Sequence, residues 1–266
     1  MYTTTKTSDL EAAVRGLLEK YAVDVSQPWR LASNALRSGD TQDENLVLAN
    51  GRLLLENEPK ARVVPLFPWR EERRFIELKS MVDTRTITPL LMCRFACLTD
   101  GVSKPLAAVL YREFDLIEWL SGAPITSLYA VSNGLRCANI VARLASDALC
   151  SVEASTALPA GSPPVDRHEL IARRGVASDL AVDTQIPQSS VYTFTAGGSE
   201  QHRDTDAELF GLNAEDASLA RAAFGVLSDP TQIPELQRRH DRLAGLVKNT
   251  FDSSRQGRRI HVEGTR

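Results

Sequence analysis

The sequence has no apolar run near the roughly 20 residues that a helical membrane span requires, which excludes that class. Its start, MYTTTKTSDLEAAV, lacks the charged-then-apolar order of a secretory signal, so a cytoplasmic location is expected. Basic residues are not in excess: 31 Lys and Arg stand against 34 Asp and Glu, for a net charge of −3. Neither nucleic acid nor a membrane is therefore an expected partner. The one basic cluster, Arg255 to Arg259 (RQGRR), reads as a solvated segment before the last strand. Cysteine is scarce, with four residues, no CxxC pair and no histidine nearby at ligand spacing, so no metal site is expected. Cys93 and Cys97 are four apart in a β-like run, which puts both on one face as buried, reduced thiols.

What is present is an ordinary globular composition, 43% hydrophobic and 24% charged over 266 residues, enough for one large domain or two small ones. Leu10, Ala13, Val14, Leu17, Leu18 and Tyr21 fall at helical spacing. The spacing predicts a very short strand at Ala22–Val25 and a second helix, PWRLASNALRSG, with Pro28 at its first position and Gly39 as its stop. Residues 41–57 leave two readings open, a hairpin around Asn50-Gly51 or a helix interrupted at Gly51. A strand at Ala61–Phe67 is followed by a helix from Pro68-Trp69 that buries Phe75, Leu78, Met81 and Val82.

From there the pattern turns to strands. Ile87–Leu98 is long, Ile125–Asn133 follows a helix, and residues 136–157 form a hairpin turning at Ser146-Asp147. Short strands are expected at His168–Ile171, Gly175–Val182 and Ser190–Thr195, then a helix capped by Asn213, a long final helix and a closing strand. Sequential strands with helices gathered on one face imply an α+β fold built on a mostly antiparallel open sheet. The connecting helix runs through PLAAVLYREFDLIEWLSGAPITSLYAV, starting near Val109, with Arg112, Glu113 and Asp115 early and Gly122 as its stop.

That last stretch resembles the pocket helix of the Gfo/Idh/MocA family of nicotinamide-dependent dehydrogenases, whose usual form is D-x-G-x-H-D-x-D-L-x-x-W-L-x-G-x-P. PWREERRFIELKSMVDTRTITPLLMCRF likewise resembles the family's Arg-containing helix and first long sheet strand. The resemblance covers about Ala61 to Gly264. It implies a reduced nucleotide-binding remnant over residues 1–68 and a substrate-binding and oligomerisation sheet domain over 69–266. It also implies a homo-oligomer formed through the sheet face, or pairing with an intact paralogue.

The resemblance places the family's catalytic groups one by one. Arg112 stands where the base histidine should be, and Ala108 where the aspartate that holds it should be; Asp115 keeps the later aspartate. In the weaker match over residues 11–33, Ser26-Gln27-Pro28 stands for Glu-Lys-Pro, so Gln27 replaces the lysine. Arginine does not deprotonate in proteins, alanine has no acceptor, and glutamine has no titratable proton. The G-x-G-x-x-G that would hold the pyrophosphate is absent, Ala196-Gly197-Gly198 being its nearest approach. At about 30 residues per βαβ unit, at least two units expected before Gln27 are missing. No cofactor is therefore expected.

Three readings follow, in this order: a degenerate binding or partner subunit, an enzyme that kept a sugar or cyclitol pocket and changed its chemistry, and a surviving NAD- or NADP-dependent dehydrogenase. Arg70, Tyr111, Arg112, Asp115 and His168 are the candidates to line a small-molecule cleft. Each also has a plain reading. Arg112 suits a carboxylate or phosphate through its fork of donors, or pairs with Glu113 or Asp115 on a helix surface. Asp115 touches ligand or buttresses its helix, and His168 is catalytic or a satisfied strand histidine. His240, on a helix read as solvated, and His261 receive no role.

Overall fold

A computed structural model describes residues 7–32, 45–55, 62–101, 104–179, 191–195, 198–202 and 206–262, the side chains of 191–202 excepted. The chain divides into two compact units, one of Met1–Glu72 with Val182–Arg238 and one of Arg73–Ala181 with Arg239–Arg266. The sequence-based boundary at 68/69 thus falls at Glu72. Residues 182–238 return to the first unit instead of continuing a single 69–266 domain. The reason is packing: α4 (Ala214–Ser228) supplies Leu219, Ala220, Ala223 and Val226 to the first unit's core.

That core forms around three parallel strands in the order β1 (Trp29–Ala32), β2 (Leu46–Asn50) and β3 (Val63–Leu66). Helix α1 (Thr7–Lys20) lays Leu10, Val14 and Leu17 against Leu31, Leu48, Val64 and Leu66. The strands are apolar on both faces, as buried parallel strands are, and Pro65 is accommodated because β3 ends the sheet. Three expectations fail here, the first being the short strand at Ala22–Val25, which the structure does not form. Pro28 does not open a helix, because Trp29 to Ala32 pair with β2, and tertiary pairing overrides the local signal. Residues 51–54 form a 3-10 turn rather than a return strand, with Asn50 Oδ1 accepting from the Arg52 amide. Residues 33–44, which include the Gly39 stop, and residues 196 and 197 lie outside the described residues. A second short sheet joins β10 (Val191–Thr195) to β11 (Gly198–His202).

The second unit is a seven-stranded sheet with α2 (Arg73–Asp83), α3 (Leu106–Ser121) and α5 (Ile233–Gln256), the last from Arg239 onward. Its strands are β4 (Leu90–Leu98), β5 (Ile125–Asn133), β6 (Cys137–Leu144), β7 (Leu149–Ser155), β8 (Val165–Ala172), β9 (Gly175–Ser178) and β12 (Ile260–His261). They run in the order β12-β5-β6-β7-β4-β8-β9, antiparallel except where β4 meets β7. The expected α+β architecture with a mostly antiparallel sheet is what the structure has.

Alternation decides which side chains enter the core. Cys93, Phe95 and Cys97 point inward from β4, Ile140 and Ala142 from β6, Cys150, Val152 and Ala154 from β7, and Leu170 from β8. Cys93 and Cys97 are both buried free thiols, as their spacing predicted. The turn at Ser146-Asp147 is present, with the Asp147 amide donating to the Leu144 carbonyl.

Helix α3 is buried almost all round, which is the condition for a helix at the centre of a core. It begins at Leu106 rather than Val109, so Arg112, Glu113 and Asp115 are interior positions and its first turn holds no acidic residue. The dipole argument for their placement therefore fails, and each is held by a specific partner instead. The helix stops at Gly122 as expected, in the left-handed conformation (φ 67°) that glycine adopts without strain. No helix among the described residues is long and apolar enough to cross a membrane.

Candidate functional site: a buried ion cluster

The charged centre of the second unit comes from four elements. Asp166 and His168 are two apart on β8 and so share its inner face. Arg112 and Glu113 reach them from α3, Arg74 from α2, and Asp179 from the residue after β9. Arg112 is 5% exposed, and its fork grips Asp166 with Nη1 to Oδ1 at 2.8 Å and Nη2 to Oδ2 at 2.9 Å. Such a bidentate pair uses the planar guanidinium in the geometry that suits it best. Arg112 Nη1 also donates to Glu113 Oε1 at 3.2 Å and to Cys97 Sγ at 3.8 Å. Arg74 binds Asp166 Oδ2 at 2.5 Å and Asp179 Oδ2 at 3.1 Å.

His168 is fully buried, with Phe75 and Phe95 edge-on to its ring at 4.7 Å each. Its Nδ1 lies 2.6 Å from Asp179 Oδ2 and its Nε2 3.0 Å from Glu113 Oε2. Burial works to lower the basicity of the ring, but Glu113 and Asp179 outweigh it and raise the net value. Burial likewise works to raise the Asp166 carboxyl, but the Arg112 and Arg74 guanidiniums and His168 hold it well below the usual carboxylate range.

The cluster also bears on metal binding. Cys97, Glu113 and Asp166 offer ligand atoms within 4.8 Å of one another, the spacing of a metal site. Arg112 Nη1 contacts all three residues, so in the structure these atoms hold a guanidinium and do not form a metal-ligand set.

Of the five cleft candidates, Arg112 and His168 meet in this cluster, through Asp166 and Glu113. Tyr111 is fully buried and its hydroxyl meets His240 Nδ1 at 2.7 Å. His240 is thus a buried partner, 2% exposed, and not the solvated residue expected; burial lowers its basicity. Asp115 buttresses α3: its Oδ1 accepts from Arg239 Nε at 2.8 Å, and Arg239 Nη1 goes on to Glu118 Oε2 at 2.7 Å. Arg242 adds Nη2 to Glu118 Oε1 and to the Ile125 carbonyl, both at 2.8 Å. Arg70 belongs to the first unit, in the 3-10 turn Pro68–Glu71, over the Phe67 ring at 4.6 Å. Gln27 lies at a bend before β1 with no strand ahead of it among the described residues, where its match to Glu-Lys-Pro required a turn after a strand. Ala108 is buried, as an apolar residue on α3 should be.

Glu113 entered the sequence reading only as a surface partner for Arg112, while Asp166, Asp179, Arg74 and Cys97 had no place in the site. The Asp-x-His spacing at 166 and 168 was the one local signal for a shared face. Its meaning depended on β8 lying beside β4, an adjacency set by sheet order.

No protein-family model and no curated protein sequence matches the chain. Solved structures do. A probable dehydrogenase from Thermotoga maritima superposes with a TM-score of 0.62 at 15% identity, over 97% of this chain and 96% of that one. Myo-inositol 2-dehydrogenase from Lactobacillus plantarum gives 0.61 at 10% identity, over 98% and 84%. Scyllo-inositol dehydrogenase from Lactobacillus casei, solved with NAD(H) and scyllo-inositol, gives 0.53 at 12% identity, over 82% and 73%. At these identities the likeness is one of fold, and it agrees with the resemblance carried by the two sequence stretches: the chain has the fold of the Gfo/Idh/MocA oxidoreductases.

Proposed function

We propose that this protein is an oxidoreductase-fold ligand-binding or partner subunit that does not carry the family's hydride-transfer site. One observation supports the reading above the others. The position that the resemblance gives to the base is Arg112, and both arms of its fork are closed on Asp166 inside a buried cluster. A guanidinium cannot accept a substrate proton. The same closure argues against Arg112 as the seat of a carboxylate or phosphate ligand, because a ligand would have to displace Asp166.

The partner in this reading is a second copy. The outer face of the seven-stranded sheet carries Tyr129, Val131, Val141, Leu149 and Val176 at 40 to 62% exposure, spread over β5, β6, β7 and β9. Large apolar side chains grouped on one sheet face are what a covering surface buries.

The test is a fluorescence titration with NADH and NADPH beside a measurement of mass in solution. The expected result is no saturable cofactor signal, with a dimer or larger assembly that Val141→Asp reduces to the monomer. Saturable NADH binding with turnover of a polyol overturns the reading. A monomeric wild type removes the partner half of it.

A further inference from the structure

The two nitrogens of His168 both face carboxylate oxygens, Asp179 Oδ2 at 2.6 Å and Glu113 Oε2 at 3.0 Å. An ionised carboxylate only accepts hydrogen bonds, and a neutral imidazole has a single N–H. With both carboxylates ionised, the geometry is satisfied only by a ring that carries two protons. The surrounding charge agrees. Arg74 of α2 and Arg112 of α3 face Glu113 of α3, Asp166 of β8 and Asp179, so an imidazolium brings three cations against three carboxylates. Cys97 of β4 meets the group at Arg112, whose Nη1 lies 3.8 Å from its Sγ.

We infer that His168 is carried as an imidazolium and works as a proton-operated latch, its two N–H groups tying the Asp179 end of β9 and the Glu113 turn of α3 to strand β8. The tie to β9 has two further strands: Asp179 Oδ1 accepts from the His168 amide at 2.7 Å, and the Asp179 amide donates to the His168 carbonyl at 3.1 Å. Loss of the proton leaves one N–H for two buried carboxylates, so one of them faces a ring lone pair. A buried carboxylate oxygen set against a lone pair is costly even where Arg112 or Arg74 still pairs with the same group. The cluster meets solvent at Asp166, which lies 3.7 Å from Nε2 with about a quarter of its side chain exposed (27%). The latch goes beyond the proposed subunit role and does not depend on it.

The direction of the effect follows from linkage. The latched state holds its proton above the pH at which the unfolded ring loses one, near 6.5. The contribution is therefore fully present below that pH and is lost as pH rises through the higher folded value. Across that window the unfolding constant rises by up to about tenfold per pH unit, then levels.

The experiment is nitrogen NMR of the full chain with ring-labelled histidine, run beside amide exchange of residues 165–179 as a function of pH. The sequence has four histidines. The expected result is one ring that keeps equivalent, imidazolium-type nitrogens above pH 7, and exchange at 165–179 that accelerates as this ring titrates, beyond the intrinsic pH effect. His168→Gln removes that resonance and the exchange step. Should that variant not fold, His202→Gln, His240→Gln and His261→Gln assign the ring by elimination. A His168 ring that is a neutral tautomer at pH 7, or exchange at 165–179 indifferent to its titration, overturns the latch.

Discussion

Replacing Arg112 decides between its two sequence readings, because they differ severalfold in energy. On a helix surface the pair would be worth about 0 to 1 kcal/mol, with each side chain tolerating loss of the other. In the structure Arg112 is 5% exposed and sits between Asp166, Glu113 and Cys97. Arg112→Ala leaves Glu113 and Asp166 without their shared cation and opens a hole beside Phe75, over whose ring the guanidinium lies at 5.3 Å. Removing one partner of a buried pair costs about 3 to 5 kcal/mol. The partial exposure of Asp166 places this case at the lower end, about 3 kcal/mol. For a unit of this size that is a fall of roughly 9 °C in melting temperature.

The assay is thermal unfolding of Arg112→Ala, Asp166→Ala and the double variant, followed by Trp119 fluorescence with quencher controls for the other tryptophans. The cycle should return a coupling of about 2 kcal/mol, since the second removal relieves the charge stranded by the first. Arg112→Lys, which keeps the charge and loses the fork, should fall between wild type and alanine. The acid limb gives an independent reading. Asp166 contributes stability above its unfolded value of 3.8, and loses it only as pH falls through the much lower folded value. Arg112→Ala should therefore move acid unfolding to higher pH. A cost under 1 kcal/mol with no coupling would refute the buried-cluster account and restore the surface reading.

Two further substitutions test the frame around α3. Glu118→Gln removes the charge that gathers Arg239, Arg242 and the Ile125 amide, the last at 2.7 Å. It should cost about 3 kcal/mol in urea unfolding with an unchanged denaturant slope; a loss under 1 kcal/mol would mean that the arginines find equal partners elsewhere. Gly122→Ala should cost about 1 kcal/mol from backbone conformation alone, because an added Cβ meets nothing within 4 Å. Gly122→Asn should cost less, since asparagine enters the left-handed region more readily, and equal losses for the two would point to a packing role instead.

Features whose cause is local were legible in the sequence. Alternation of Cys150, Val152 and Ala154 dictates a half-buried strand, Asn213 accepts from the amides of Glu215 and Asp216, and Gly122 ends α3 at positive φ. These residues would do the same in many folds, because the interacting atoms lie within a few positions of one another. Helix α3 was also legible, through Trp119, Leu120 and the strand after it. The surroundings of its charged residues were set by long-range packing. Arg112 and Glu113 are adjacent in sequence, but their partners Asp166 and His168 lie more than fifty positions away on β8, and β8 reaches them because it pairs with β4. Asp115 and Tyr111 are drawn instead to Arg239 and His240 on α5. Trp29 to Ala32 became a strand for the same reason, since β2 offered its edge. Local rules place a side chain on a face, but the element that covers the face sets its charge state and partner.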